Sequence, residues 1–156
     1  MKTRLATVGD FPEIARLGAN FWAQTAHAFI PYDEDSLLWY CGQMLGQRLL
    51  VVVESAGGVV GFAGAMIAPL LGNLRWRIAG ELLWWIELEH RSTETSIALL
   101  KALEEHALLA GVHVLSLMKL DLLEPEQAAM LYARAGYGSS ERAFTKVLQT
   151  CPRQRH

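Results

Sequence analysis

The stretch from Glu81 to Gly111, ELLWWIELEHRSTETSIALLKALEEHALLAG, constrains this chain more than any other. Its opening, ELLWWIEL, is bulky and apolar enough for a buried strand, whereas SIALLKALEEHA spaces its apolar residues as a helix does. Only a few residues separate the two, so a strand must turn almost directly into a helix. Such a turn aims the free N–H groups of the first helical turn past the strand end, where an anion can be held. Glycine usually lets a backbone approach a phosphate closely. Here the turn is built from Ser92, Thr93, Glu94, Thr95 and Ser96 instead.

The rest of the chain alternates strand and helix patterns in the same way. KTRLATV alternates polar and apolar residues like an outer strand, and Asp10 is placed to cap a helix with Pro12 in its first turn and Ile14, Leu17, Phe21 and Trp22 on one face. FIPYDED breaks that pattern, and Asp33 or Asp35 starts a second helix. RLLVVVES and VVGFAGAMIA flank the turn AGG as a hairpin. PLLGNLRWR reads as a loop leading into the central strand. The helix that opens near Thr93 ends at Gly111, VHVLSLMK reads as a strand, PEQAAMLYARAG as a helix stopped by Gly136, and ERAFTKVL as a closing strand. Hairpins early and crossover helices late predict an α/β architecture, a mixed sheet with helices on both faces. No linker divides it, so one domain over 1–148 is expected, with a short basic tail over 149–156.

Composition narrows what such a domain can do. The net charge of −2 and pI near 6.2 over 156 residues give no overall basic field, so a large nucleic-acid surface is not indicated. Cys41 and Cys151 lie outside any metal-ligand spacing, and no metal is expected. The N-terminus lacks the apolar core of a signal peptide, and the most apolar run, VVGFAGAMIAPLL, is shorter than a membrane helix requires. A cytoplasmic chain with no membrane partner is therefore expected.

The order of elements, together with WWIELEHRSTETSIALLKALEEHA and the late AAMLYARAGY, resembles the GNAT superfamily of acetyl-CoA-dependent N-acetyltransferases over nearly the whole chain. The doubled tryptophans after a glutamate and the FIPYDED segment are also similar to small phage and bacterial GNAT-like proteins. The resemblance implies a mostly antiparallel sheet of six to seven strands and an enzyme that uses acetyl-CoA as cosubstrate. Its pyrophosphate turn would span Arg91 to Ser96, with Arg91 at the family's first position, Glu94 where the family has a glycine, and Ser96 at the last small residue. Trp85, Ile86, Glu87 and Leu88 would supply backbone to pair with the pantetheine arm. Tyr132 matches the tyrosine that protonates the departing thiolate, while Pro125 stands where the family often has an asparagine.

Direct acetyl transfer needs a neutral amine, hence a carboxylate base. Counting by twos places Glu81, Leu83, Trp85 and Glu87 on one face, so Glu81 and Glu87 share it unless a bulge intervenes. Trp85 is a candidate wall for the acceptor, as are His27 in the helix–loop region and Arg75, Trp76 and Arg77 in the loop before the strand. Glu94 either points outward or pairs with Arg91, and otherwise repels the pyrophosphate. Three functions follow. The first is an N-acetyltransferase acting on a primary amine of a small molecule or protein in a ternary complex. The second is a GNAT-fold binding or dimerising module without turnover, whose apolar segment from Val59 to Leu71 covers a partner such as a second copy. The third is an acyltransferase acting on a nucleobase.

Overall fold

A computed structural model describes residues 1–118, 125–140 and Lys146. The alternation in KTRLATV produces a strand, β1 (Lys2–Leu5), shorter than expected because Val8–Asp10 winds into a single 3-10 turn. Asp10 precedes helix α1 (Phe11–Ala23), but its side chain does not cap that helix. The carboxylate turns back to accept two bonds from Arg4, at 2.8 Å each, and one from the N–H of Thr7 at 2.7 Å. Helix α2 (Glu34–Gly46) follows Asp33, which resolves the choice between the two aspartates. β2 (Leu50–Ser55) and β3 (Gly58–Leu70) form the expected hairpin, with Gly58 at φ 119° in the turn.

The segment read as a loop, PLLGNLRWR, is strand. β3 runs to Leu70 and β4 extends from Asn73 to Ile86, so the two are joined by a tight turn at Leu71 and Gly72, with Gly72 at φ 90°. Pro69 was the misleading signal, since proline is excluded only from positions whose N–H serves a ladder, and this stretch lies beyond the reach of β2. Helix α3 (Thr93–Leu109), strand β5 (Val114–Ser116) and helix α4 (Pro125–Arg134) complete the described elements.

The five described strands form one sheet in the order β1-β2-β3-β4-β5. The first three pairings are antiparallel and β4–β5 is parallel, which α3 makes possible as the crossover. Helices cover both faces, as expected. Ile14, Leu17, Phe21, Cys41 and Met44 of α1 and α2 pack with Val52, Phe62, Leu83 and Trp85 on one side; Leu99, Leu103 and Ala107 of α3 pack with Val51, Val53, Ala63 and Ala79 on the other. The sheet thus has fewer described strands than the six to seven expected. The closing strand ERAFTKVL, apart from Lys146, and the basic tail lie outside the described residues.

The apolar segment from Val59 to Leu71, which covers a partner only in the binding-module reading, fills the core for most of its length: Val59, Val60, Phe62, Ala63 and Ala65 are buried, and only its far end, with Leu71, is exposed. Among the described residues no helix is long and apolar enough to cross a membrane.

Candidate functional site

β4 organises the site, and one irregularity in it decides where each side chain goes. Gly64 of β3 pairs with Leu83 and Ala65 with Glu81, so Leu82 is an extra residue, a β-bulge. An extra residue inverts the side-chain alternation. Before the bulge Ala79 faces α3; after it, Leu83 and Trp85 face α1 and α2. The expectation that Glu81 and Glu87 share a face therefore fails. Glu81 follows the alternation of Ala79, whereas Glu87, just beyond the strand, meets α1: it accepts from Arg16 Nη1 at 3.0 Å and from Asn20 Nδ2 at 3.3 Å.

Glu81 is 5% exposed and sits where β4 and β5 part. The parallel pairing spans only Ile78 to Gly80 against Val114 to Ser116. Just beyond it, Glu81 Oε2 accepts the N–H of Met118 at 3.0 Å, so a carboxylate stands in place of the next rung. Burial pushes the Glu81 carboxyl up to about 7 from 4.5, against a smaller opposing effect of the Met118 N–H. Tyr132 of α4 donates to the carbonyl of the same residue, Met118, at 3.4 Å. Burial, and secondarily the charge of Glu81, hold the Tyr132 phenol above its ordinary value. A single peptide segment thus ties the candidate base to the candidate acid.

Past Gly80, β4 has no strand partner on its β5 side among the described residues. The N–H of Glu87 donates to Val60 of β3 at 2.9 Å. Alternation then turns the backbone of Trp85 toward β3 as well, and that of Trp84 and Ile86 toward the open edge. The expectation that Trp85 and Glu87 lend backbone to a ligand is corrected accordingly. The carbonyl of Ile86 accepts from Arg91 Nε at 2.8 Å, and the Arg91 guanidinium lies 4.6 Å over the ring of Trp85. Trp85 itself is 3% exposed and edge-on to Phe21, which makes it core and not the wall of an acceptor pocket.

The turn after β4 passes through Leu88, 71% exposed in a 3-10 turn, and reaches α3 at Ser92. Ser92 Oγ accepts the N–H of Thr95 at 3.0 Å and lies 2.9 Å from Thr95 Oγ1, while the N–H of Ser96 donates to the Ser92 carbonyl. The hydroxyls of Ser92 and Thr95 are consumed inside the turn as an N-cap. Thr93 and Glu94 are both exposed, and their N–H groups, at the first two helical positions, donate to no group of the described residues.

The expected acceptor residues are dispersed. Arg75, Trp76 and Arg77 lie on β4, with Arg77 Nη1 donating to the Ala110 carbonyl at the end of α3 (2.6 Å) and the Trp76 ring 5.0 Å from that of His113. Arg77 thus closes a helix C-terminus. His27 lies in the α1–α2 connection, stacked 6.3 Å from Trp22 and tilted against Phe29 at 6.5 Å, and no hydrogen bond joins it to Glu81, Glu87 or Tyr132. Among the described residues no group of His, Cys, Asp and Glu has the arrangement of a metal site. Sequence reading missed Met118, which acts through its backbone, and Arg16, which is 71 residues from Glu87; neither has a local signal.

No family model and no curated protein matches the sequence. Solved structures do match the fold. AAC(6')-Iy, in complex with the bisubstrate analogue CoA-S-monomethyl-acetylneamine, superposes with a TM-score of 0.72 over 96% of this chain and 98% of its own at 14% identity. An aminoglycoside acetyltransferase from an uncultured soil metagenomic sample gives 0.71 over 95% and 98% at 16% identity. An acetyltransferase of Trypanosoma brucei gives 0.68 over 94% and 99% at 18% identity.

Proposed function

We propose, for a chain that has the fold of the GNAT-type acetyltransferases, that it is an N-acetyltransferase moving an acetyl group from acetyl-CoA to a primary amine by direct attack in a ternary complex. The observation that carries this reading is Glu81: a carboxylate buried at the fork of two parallel strands, with its proton affinity raised to about 7 and a tyrosine hydroxyl one residue's backbone away. A base poised near neutrality suits removal of an ammonium proton, because it is partly ionised and still basic.

The open edge of β4 fits the cosubstrate. The backbone groups of Trp84 and the N–H of Ile86 offer an extended thioester arm the pairing a further strand would make. The free N–H groups of Thr93 and Glu94 offer two donors at a helix start to a pyrophosphate, and the exposed carboxylate of Glu94 opposes the same anion. Weak binding follows. Glu81 takes the proton of the attacking amine as the N–C bond forms; Tyr132, kept protonated by burial, gives its proton to the sulfur as the C–S bond breaks. The dry fork concentrates both effects.

A second reading, a binding module without turnover, draws support from Glu94 and from the turn's consumption of its own hydroxyls. Calorimetric titration with acetyl-CoA, followed by an amine panel assayed for free thiol release, tests both. Binding with turnover that Glu81→Gln lowers at least about a hundredfold supports the acetyltransferase. Absence of heat and of any melting shift at millimolar acetyl-CoA overturns it in favour of the module.

A further inference from the structure

β3 and β4 run on together past both of their neighbours. Pairing with β2 stops at Leu50 and Gly64, and pairing with β5 reaches no nearer the turn along β4 than Ile78, yet β3 and β4 remain paired to Leu70 and Asn73. The result is a two-stranded arm over residues 68–77. Among the described residues its hydrogen bonds to the rest of the chain lie at its base, where Gln47 Oε1 accepts the Ile67 N–H at 2.7 Å and Arg77 meets Ala110 and His113. A bare two-stranded ribbon is marginal in water. This one nevertheless carries leucine where solvent is most complete: Leu71 is 98% exposed and Leu74 81% exposed.

The arm does not offer an edge to another strand. Its register shifts between Pro69 and Leu70, which leaves Leu74, Arg75 and Trp76 with no partner residue on β3, and such a bulge interrupts the ladder an added strand would need. Its charge has one sign. No Asp or Glu occurs between Glu54 and Glu81, and the charged residues of that span are Arg75 and Arg77, although the chain as a whole stands at −2.

Depth along the arm selects the occupant. Leu70, Leu71 and Leu74 bracket the turn at Gly72, Arg75 and the exposed Trp76 come next, and Arg77, opposite Pro69, lies about 10 Å behind the tip at ~3.3 Å per residue. A phosphate backbone would be met by cations foremost, and a folded protein partner imposes no such gradient. A lipid surface does impose it: aliphatic groups enter ~5–10 Å, an indole rests at the interface, and arginine pairs with anionic headgroups. We infer that the tip of the β3–β4 hairpin docks on an anionic lipid surface, with Leu71 and Leu74 entering the acyl boundary and Arg75 and Trp76 at the headgroups. The chain lies on the surface through this arm and does not cross it. This stands independently of the acetyltransferase reading, whose site is built on Glu81 and Tyr132.

Cosedimentation of the full chain with vesicles tests it, using phosphatidylcholine alone and phosphatidylcholine with about a third phosphatidylserine. The wild type is expected to pellet with the mixed vesicles at millimolar lipid and far less with the neutral ones. Leu71→Ser should weaken that binding ~10-fold or more, with an unchanged melting temperature because the side chain it removes touches solvent. Arg75→Glu should abolish the preference for the anionic vesicles, whereas Lys101→Glu, an equal charge change on the exposed side of α3, should leave it intact. Three results overturn the inference: no pelleting with the mixed vesicles, binding that Leu71→Ser leaves unchanged, or an equal loss from Lys101→Glu. Duplex DNA binding that Arg75→Glu removes and Leu71→Ser spares, with no pelleting on vesicles, overturns it in favour of a nucleic acid.

Discussion

Two carboxyl groups on this chain illustrate opposite treatments of charge. Asp10 accepts from Arg4 and Thr7, and the Arg4 bonds above all hold it down to about 2 from 3.8. A group whose affinity for protons is lowered by folding stabilises the native state above its unfolded value and loses that contribution as pH falls through about 2. Asp10→Asn should therefore cost on the order of 2 kcal/mol at pH 7 in a denaturant titration, with the difference shrinking below pH 4. Glu81 has the reverse sign. Its carboxyl is raised to about 7 from 4.5, so its ionisation opposes folding. The native state is favoured most below pH 4.5 and loses that advantage as pH climbs through about 7. Glu81→Gln should consequently stabilise the protein above pH 7, on the order of 2–3 kcal/mol, and change little at pH 4. If the same residue is the base, wild-type kcat/KM rises with pH to a plateau above about 7 and the variant loses that limb. A stability gain without a change in the rate profile would separate a structural carboxylate from a catalytic one.

At the scale of elements, the position of the bulge in β4 matters more than the composition of the strand. Beyond the bulge, β3 holds the end of β4 by close approach: a Cβ at Gly61 would lie 2.7 Å from the Trp85 carbonyl and 3.1 Å from the Ile86 Cα, both backbone that cannot swing aside. Gly61→Ala should therefore push the two strands apart and destabilise the fold by ~1–3 kcal/mol, read by thermal or urea unfolding. It should also weaken acetyl-CoA binding under the proposed function, because the displaced residues carry the open edge. The start of α3 gives a smaller, cleaner test. Ser92 caps the helix through Thr95, so Ser92→Ala should cost about 1 kcal/mol. That loss should appear as a lower melting temperature whether or not ligand is present.

For the whole molecule, ligand and fold are linked by mass action. If the fork between β4 and β5 takes acetyl-CoA, saturating it at about 100 times the dissociation constant raises stability by ~2.7 kcal/mol, and Glu94→Gly should tighten binding by removing a like charge from the first turn of α3. Unchanged or weaker binding in that variant, measured by calorimetry, would remove Glu94 from the electrostatics of the site. The alternation of strand and helix, the β2–β3 hairpin, the entry into α3 and the two covered faces were all readable from the chain, because each rests on periodicity and caps within about ten residues. The strand over residues 73–77 was not, since Pro69 and Gly72 carry the same local signal in a loop and in a hairpin. Nor were the separate faces of Glu81 and Glu87, because a bulge is set by the register of the neighbouring strand. The sequence by itself determined most of the strand and helix segments and which carboxylates and hydroxyls were available, these being properties of nearest neighbours along the chain. Only the tertiary structure decided that Glu81 is buried at a fork, that Trp85 is core and that Arg77 closes a helix, because each depends on what a residue 30 or more positions away brings against it.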